Sequence, residues 1–183
     1  MTDIRTRIAV ELERSFAEAG FADQGVETLR AEADVSLRTL YRHFPSREAM
    51  IIGALEQRDR TYDAWLSGGP EDGIDHVLYP LVRLGEWLHQ AANTGCLFLN
   101  ALAQYPDNAA IEAVIKDHKA RLARQFNRRL AHVAPGRNLD HLAATLFLLH
   151  EGMTQAARLQ GLETATEAAL YAARAALAAE GLT

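Results

Sequence analysis

Five side chains between Arg38 and His43 carry the chemistry that stands out in this chain: Arg38, Thr39, Tyr41, Arg42 and His43, with no acid anywhere from Val35 to Arg47. Guanidinium, hydroxyl and imidazole donors gathered without a competing carboxylate suit phosphate oxygens and the acceptor edges of bases. The local sequence also sets their geometry. Ser36 is placed to cap a helix, since its hydroxyl can accept from the unpaired amides of the next turn. Pro45 ends that helix, because it cannot continue the hydrogen-bond ladder and disfavours helical geometry at Phe44. Leu37, Leu40, Tyr41 and Phe44 fall at helical spacing, with Leu40 and Phe44 turned to a core. A short helix with an apolar back and an acid-free polar front is what a DNA major groove admits and attracts.

The segments upstream must position this helix. Val26 to Ala33 is predicted to be a short helix with Val26, Leu29 and Ala33 inward. Asp34 is the turn, since Asp tolerates left-handed geometry better than most residues. Asp3 to Ala19 is predicted as an amphipathic helix, with Ile8, Leu12, Phe16 and Ala19 as an i, i+4 stripe and Gly20 just past its end. Three helices sharing a small core, the last lying in the groove, make a helix-turn-helix.

Residues 8–50 resemble the DNA-binding domain of the tetracycline-repressor (TetR) family of bacterial transcription regulators. The likeness rests on Gly20-Phe21, Val26, Leu29, Glu32-Ala33, Val35-Ser36 and the unbroken run from Thr39 through Tyr41, His43 and Pro45 to Met50. The resemblance implies phosphate contacts from Tyr41 and His43. It also implies base or phosphate contacts from Ser36, Leu37, Arg38, Thr39 and Arg42, and Arg47 completes the local basic footprint. Three positions depart from the family pattern. Gly25 stands where Thr or Ser commonly caps the second helix. Arg30 replaces a small residue and must snorkel outward. Asp34 replaces the usual turn glycine, at some conformational cost, and adds negative charge near the DNA.

The chain has 183 residues and a net charge of −5, the wrong sign for a protein uniformly coated in nucleic acid. Residues 1–60 hold nine arginines against eleven acids, and the remainder ten bases against thirteen. The basic footprint is therefore local, which fits a few directed contacts weakened by salt. A single cysteine excludes an intrachain disulfide framework. No apolar run reaches the ~18 residues of a membrane span, and Met1 to Arg5 begins no apolar signal segment. The expected location is the cytoplasm, with no membrane partner.

The expected fold is all-α: a helix-turn-helix DNA-binding domain over residues 1–46 and a larger helical domain over 47–183. The sequence predicts helices over Arg47–Leu66, Ile74–Ala92 (with Pro80 expected to kink it), Cys96–Tyr105, from Pro106-Asp107-Asn108 to about Val133, Leu139–Gln160 and Glu163–Glu180. Inner positions of the first are Met50, Ile51, Ala54, Leu55, Tyr62 and Trp65. Breaks are expected at Asn93-Thr94-Gly95 and Gly161. The strings Gly95 to Ala101, His118-Lys119 and Leu148 to Gly152 look like the ligand-binding and dimerisation domain of one TetR branch. The resemblance implies a homodimer through the last two helices (139–160 and 163–180), a double-stranded DNA operator with palindromic half-sites, and an unidentified small-molecule effector. The alanines from Ala168 to Ala179 permit the close helix approach this needs, with Leu170 and Leu177 as larger knobs.

Residues that could line an effector cavity are Tyr62, Trp65, Trp87, Cys96, Phe98, His118, Phe147, His150 and Met153, although core filling suits each of them as well. Tyr105 and Phe126 are further aromatics of this kind. His118 and His150 lie in mostly apolar helices and need a polar partner if buried. Cys96 reads either as a thiol at a helix N-terminus or as a small buried hydrophobe. Glu86-x-x-His89 is half of a di-iron signature, but no second copy exists. No Gly-rich phosphate loop and no nucleophile elbow is present. No catalytic role, cofactor or metal is expected. The reading is thus a DNA-binding regulator, a repressor released by its ligand. The alternative is a helical small-molecule- or metal-binding protein whose head no longer reads an operator.

Overall fold

A computed structural model describes residues 3–90 and 95–183. The described residues form helices only: α1 (Ile4–Ala19), α2 (Val26–Glu32), α3 (Leu37–His43), α4 (Arg47–Trp65), α5 (Gly73–Gln90), α6 (Leu97–Gln104), α7 (Ala109–Val133), α8 (Asp140–Gln160) and α9 (Leu162–Ala179). The end of the helix expected to reach Ala92, and the break at Asn93-Thr94, lie outside the described residues. α5 runs through Pro80 without interruption.

Local chemistry explains several boundaries. The Ser36 hydroxyl accepts from the Thr39 amide at 3.1 Å, capping α3. Asp34 takes φ 50°, the left-handed turn expected of it. The Asn108 side chain accepts from the amides of Ala110 and Ile111, which starts α7 one residue later than Asn108. Gly161, at φ 91°, separates α8 from α9.

The helices gather into two compact units: Met1–Ala64 with Cys96–His118, and Trp65–Gly95 with Lys119–Thr183. This division does not follow a cut at residue 46. Leu40 of α3 and Phe44 at its C-terminal cap share one core with Met50, Ile51 and Leu55 of α4, Phe98 and Ala101 of α6, and Ile111 and Ile115 of α7. In the first unit α1 presents Ile8, Leu12 and Phe16 inward, but Ala19 is exposed and Ala9 and Ala17 are buried instead. Arg58 of α4 pairs with Glu13 of α1, both largely buried. Burial raises the Glu13 pKa above the ordinary carboxylate value, against the lowering pull of Arg58.

In the second unit α9 packs on α8 and α5, burying Ala165, Ala169, Ala173 and Leu177. Arg129, only 6% exposed, donates to the carbonyls of Leu66, Gly68 and His76. It thereby satisfies backbone acceptors around the loop that precedes α5. Burial lowers its pKa below the usual guanidinium value. Trp65, expected inside, is half-buried. It meets Trp87 edge-on at 5.8 Å and carries the Arg83 guanidinium over its ring at 3.7 Å.

Candidate nucleic-acid interface

α3 divides by burial as its sequence divides by polarity. Leu40 and Phe44 have no exposed surface. Ser36, Leu37, Arg38, Tyr41 and Arg42 are exposed, and Thr39 and His43 are half-buried. Tyr41 is 44% exposed and Leu37 is 37% exposed, high values for apolar or aromatic residues on so short a helix. The hydroxyls of Ser36 and Thr39 lie 3.0 Å apart, so part of their bonding capacity is spent on the cap.

Arg47 behaves differently from the exposed Arg38 and Arg42. Its guanidinium donates to the backbone carbonyls of Phe21 and Gln24, stands 3.4 Å from the Tyr105 hydroxyl and lies over the Phe16 ring at 5.6 Å. It ties the first turn of α4 to the loop between α1 and α2. Glu48 next to it accepts from Asn108. Sequence reasoning missed this role because it depends on where the loop from Phe21 to Gln24 returns.

Arg5 was also missed. Its guanidinium carbon sits 5.0 Å from the centroid of the Phe44 ring, which brings one more cation beside the end of α3 that bears Arg42 and His43. The residue is legible in the sequence, but only the packing of α1 on α3 places it there.

The three departures from the family pattern are accommodated, Asp34 by the left-handed turn at φ 50°. Gly25 occupies the N-cap of α2 without a side-chain bond, and open space surrounds the position its Cβ would take. Arg30 turns outward and bonds Glu27 at 2.7 Å. At the back of α3, a Cβ on Gly53 would fall 2.3 Å from a ring carbon of Phe44, so glycine lets α4 pass close against α3.

The candidate effector residues divide between the two units. In the first, His118 stacks on Phe98 with ring centroids 3.7 Å apart and planes at 4°, and lies 6.3 Å from Tyr62. Its Nδ1 is 2.7 Å from Asp59, the polar partner its burial demands. Cys96 is half-buried at the start of α6. In the second unit, His150 and Met153 are buried and Phe147 is half-buried. His150 meets Phe126 edge-on at 6.3 Å and stands 3.5 Å from Glu151. Lys119 donates to both carboxylate oxygens of Glu151, at 2.8 and 2.6 Å. Burial opposes ionisation of Glu151, but His150 and the Lys119 ammonium outweigh it and bring its pKa to about 2. Lys119 is the firmer hold, because 3.5 Å is long for a hydrogen bond. No group of three His, Cys, Asp or Glu side chains that could hold a metal ion occurs among the described residues.

Residues 10–54 match the family described as bacterial regulatory proteins, tetR family. Over 114 residues the chain is 28% identical to the HTH-type transcriptional regulator UidR of Escherichia coli strain K12. That stretch covers 62% of this chain and 57% of UidR, little more than half of the relative's length. The crystal structure of SCO4454, a TetR-family transcriptional regulator from Streptomyces coelicolor, is 28% identical and aligns with a TM-score of 0.84 over 95% of this chain and 94% of that one. E. coli NemR in its reduced form, at 20% identity and TM-score 0.72 over 92% and 95% of the two chains, shares the fold.

Proposed function

Because residues 10–54 match the tetR family of bacterial regulatory proteins and the chain aligns along its length with a TetR-family regulator, we propose that it is a DNA-binding repressor of that family. It reads a palindromic operator as a homodimer and lets go when a small molecule binds its larger helical portion. The observation that carries this reading is the split of α3. Leu40 and Phe44 fix the helix from behind, while Arg38, Tyr41 and Arg42 stand exposed in front, with Thr39 and His43 beside them. Arg38, Arg42, Tyr41, His43 and Arg5 supply phosphate contacts. Ser36, Leu37 and Thr39, at the start of α3, reach base edges. Arg47 serves as a positioning residue, since its donors are engaged with backbone carbonyls.

Dimerisation through α8 and α9 is supported by large apolar side chains left in solvent: Leu148 at 66%, Leu159 at 85% and Tyr171 at 79% exposure. A two-fold dimer presents two copies of α3 and reads half-sites roughly 34–36 Å apart, or a multiple of that. The head shares one core with α4 and α6, so a tilt of α4 carries α3 with it. Ligand and operator affinities are then reciprocally coupled. No helix among the described residues is long and apolar enough to cross a membrane, and the proposed place of action is the cytoplasm.

The test is a titration of the purified protein against DNA just upstream of its own coding region, at two salt concentrations, with unrelated DNA as competitor. Saturable binding that survives competitor and weakens with salt is expected. Binding no tighter than to unrelated DNA, together with no site returned by a genome-wide selection, would overturn the reading.

A further inference from the structure

The second unit has an open groove between α5 and α9, on the side of α9 away from its exposed alanines. Thr166 in the groove and Ala168 outside it are roughly 200° apart around the helix. The groove encloses about 480 Å3, within the range of small-molecule sites. Its lining is apolar where the helices face each other: Val82 and Gly85 from α5, Leu162 and Leu170 from α9. Gly85 sets the floor, since a Cβ there would lie 3.3 Å from Thr166. The Thr166 hydroxyl at that floor is shut off from solvent and has no hydrogen-bond partner.

The edge of this groove carries one sign of charge. Glu86, Glu163 and Glu167 all line it. Glu86 is engaged by Arg83, whereas Glu163 and Glu167 have no ion pair among the described residues. The sole arginine on each helix is committed elsewhere: Arg83 to Glu86 and the Trp65 ring, Arg174 to Asp75 at 3.6 Å. His89 also stands at the edge. An apolar trough with two carboxylates outside any ion pair at its lip, and with no lysine and no uncommitted arginine on either wall, complements a positive head on an apolar body.

We propose that the α5–α9 groove binds a protonated amphipathic amine: an ammonium group held between Glu163 and Glu167, with its donors in reach of the Thr166 hydroxyl once that side chain rotates, and a hydrocarbon tail against Val82, Leu162 and Leu170. This site does not rest on the DNA-binding reading and stands or falls without it.

Three probes of one body and different charge test the site: octylammonium, octanol and octanoate, titrated at pH 8 into the isotope-labelled full chain by NMR. Octylammonium is expected to shift resonances of Val82, Leu162, Thr166 and Leu170, to bind several-fold tighter than octanol, and to leave octanoate weakest. In the Glu163→Gln, Glu167→Gln double variant the preference for octylammonium over octanol falls, by roughly three- to tenfold if each exposed carboxylate contributes like a surface ion pair. Both positions are exposed, so the variant keeps its fold, which an unchanged thermal melt verifies. Equal binding of the three probes, shifts located elsewhere, or a preference untouched by the double variant would each overturn the proposal.

Discussion

Arg47 donates a hydrogen bond to the backbone carbonyl of Phe21, so a cation at the end of the acid-free stretch from Val35 to Arg47 faces inward and holds the scaffold of α3. The same guanidinium reaches the carbonyl of Gln24 and the Tyr105 hydroxyl. Removing it leaves two backbone acceptors without their donor, at a cost of about 1–3 kcal/mol. Arg47→Met should therefore lower the melting temperature and weaken DNA binding. The slope of log affinity against log salt should stay unchanged, since no phosphate contact is lost. Arg38→Ala and Arg42→Ala should do the reverse: little change in melting, but a salt slope smaller by about 1 each. A salt slope that drops in Arg47→Met would place its guanidinium on the DNA.

Gly53 and Gly25 make opposite predictions from the same kind of observation. A Cβ on Gly53 would sit 2.3 Å from the buried Phe44 ring. The ring is fully buried, and overpacking of this sort costs about 1–3 kcal/mol. Gly53→Ala should destabilise the chain and weaken operator binding by displacing the end of α3. A Cβ on Gly25 meets nothing within 4 Å, and a serine there supplies the missing cap of α2. Gly25→Ser should raise stability by a few tenths of a kcal/mol and tighten DNA binding. Thermal melts and binding titrations on the two variants check both signs.

The elements that were legible from the sequence are those fixed by neighbours in the chain. Ser36, Asp34 and Pro45 act on residues within a turn of themselves, and α3 begins, turns and ends where they require. The inward faces of Leu40, Phe44, Met50 and Leu55 followed from helical spacing alone. What was not legible depends on distant partners. Arg47 reads as one more surface cation until the loop from Phe21 to Gln24 is placed beneath it. Arg129 looks like its neighbours Arg124 and Arg128, yet it is buried because three backbone carbonyls surround it. Ala19 fits its stripe by spacing but is exposed in the last turn of α1, where Ala17 is buried instead. The association of α6 with the DNA-binding head is likewise a property of one shared core. Spacing within α6 predicts only that the helix has an apolar face.

Glu151 sets an acid limit on the second unit. Its pKa lies near 2 in the folded chain and returns to about 4.3 when the chain unfolds. A carboxylate depressed by folding stabilises fully above its unfolded pKa and loses that stabilisation as pH falls towards the folded one. The interval is about pH 4.5 down to 2, and the stake is on the order of 1–3 kcal/mol. In melts recorded from pH 7 to 3, Glu151→Gln should be less stable at neutral pH, leaving Lys119 without its carboxylate. It should also show a shallower loss below pH 4.5 than the parent. Parallel curves for the two proteins would mean that Lys119 and Glu151 do not act as a pair.

Gly152 offers the sharpest test of the dimer. Leu148, Gly152 and Leu159 recur at helical spacing and lie within roughly 40° of one another around α8. Leu148 and Leu159 are among the most exposed large apolar side chains of the chain. Within one chain, a Cβ on Gly152 meets nothing within 4 Å, so a larger residue there is free of internal clash. Glycine inside a helix costs about 1 kcal/mol relative to a strong helix former, and Gly152→Leu should stabilise the isolated chain. If α8 of a second copy packs across this stripe, the added side chain blocks the close approach that glycine permits. Gly152→Leu should then be a well-folded monomer by sedimentation, with a melting temperature that no longer rises with protein concentration. It should also lose the tight operator binding that two linked heads provide. A Gly152→Leu protein that remains a dimer would move the interface off this face of α8 altogether.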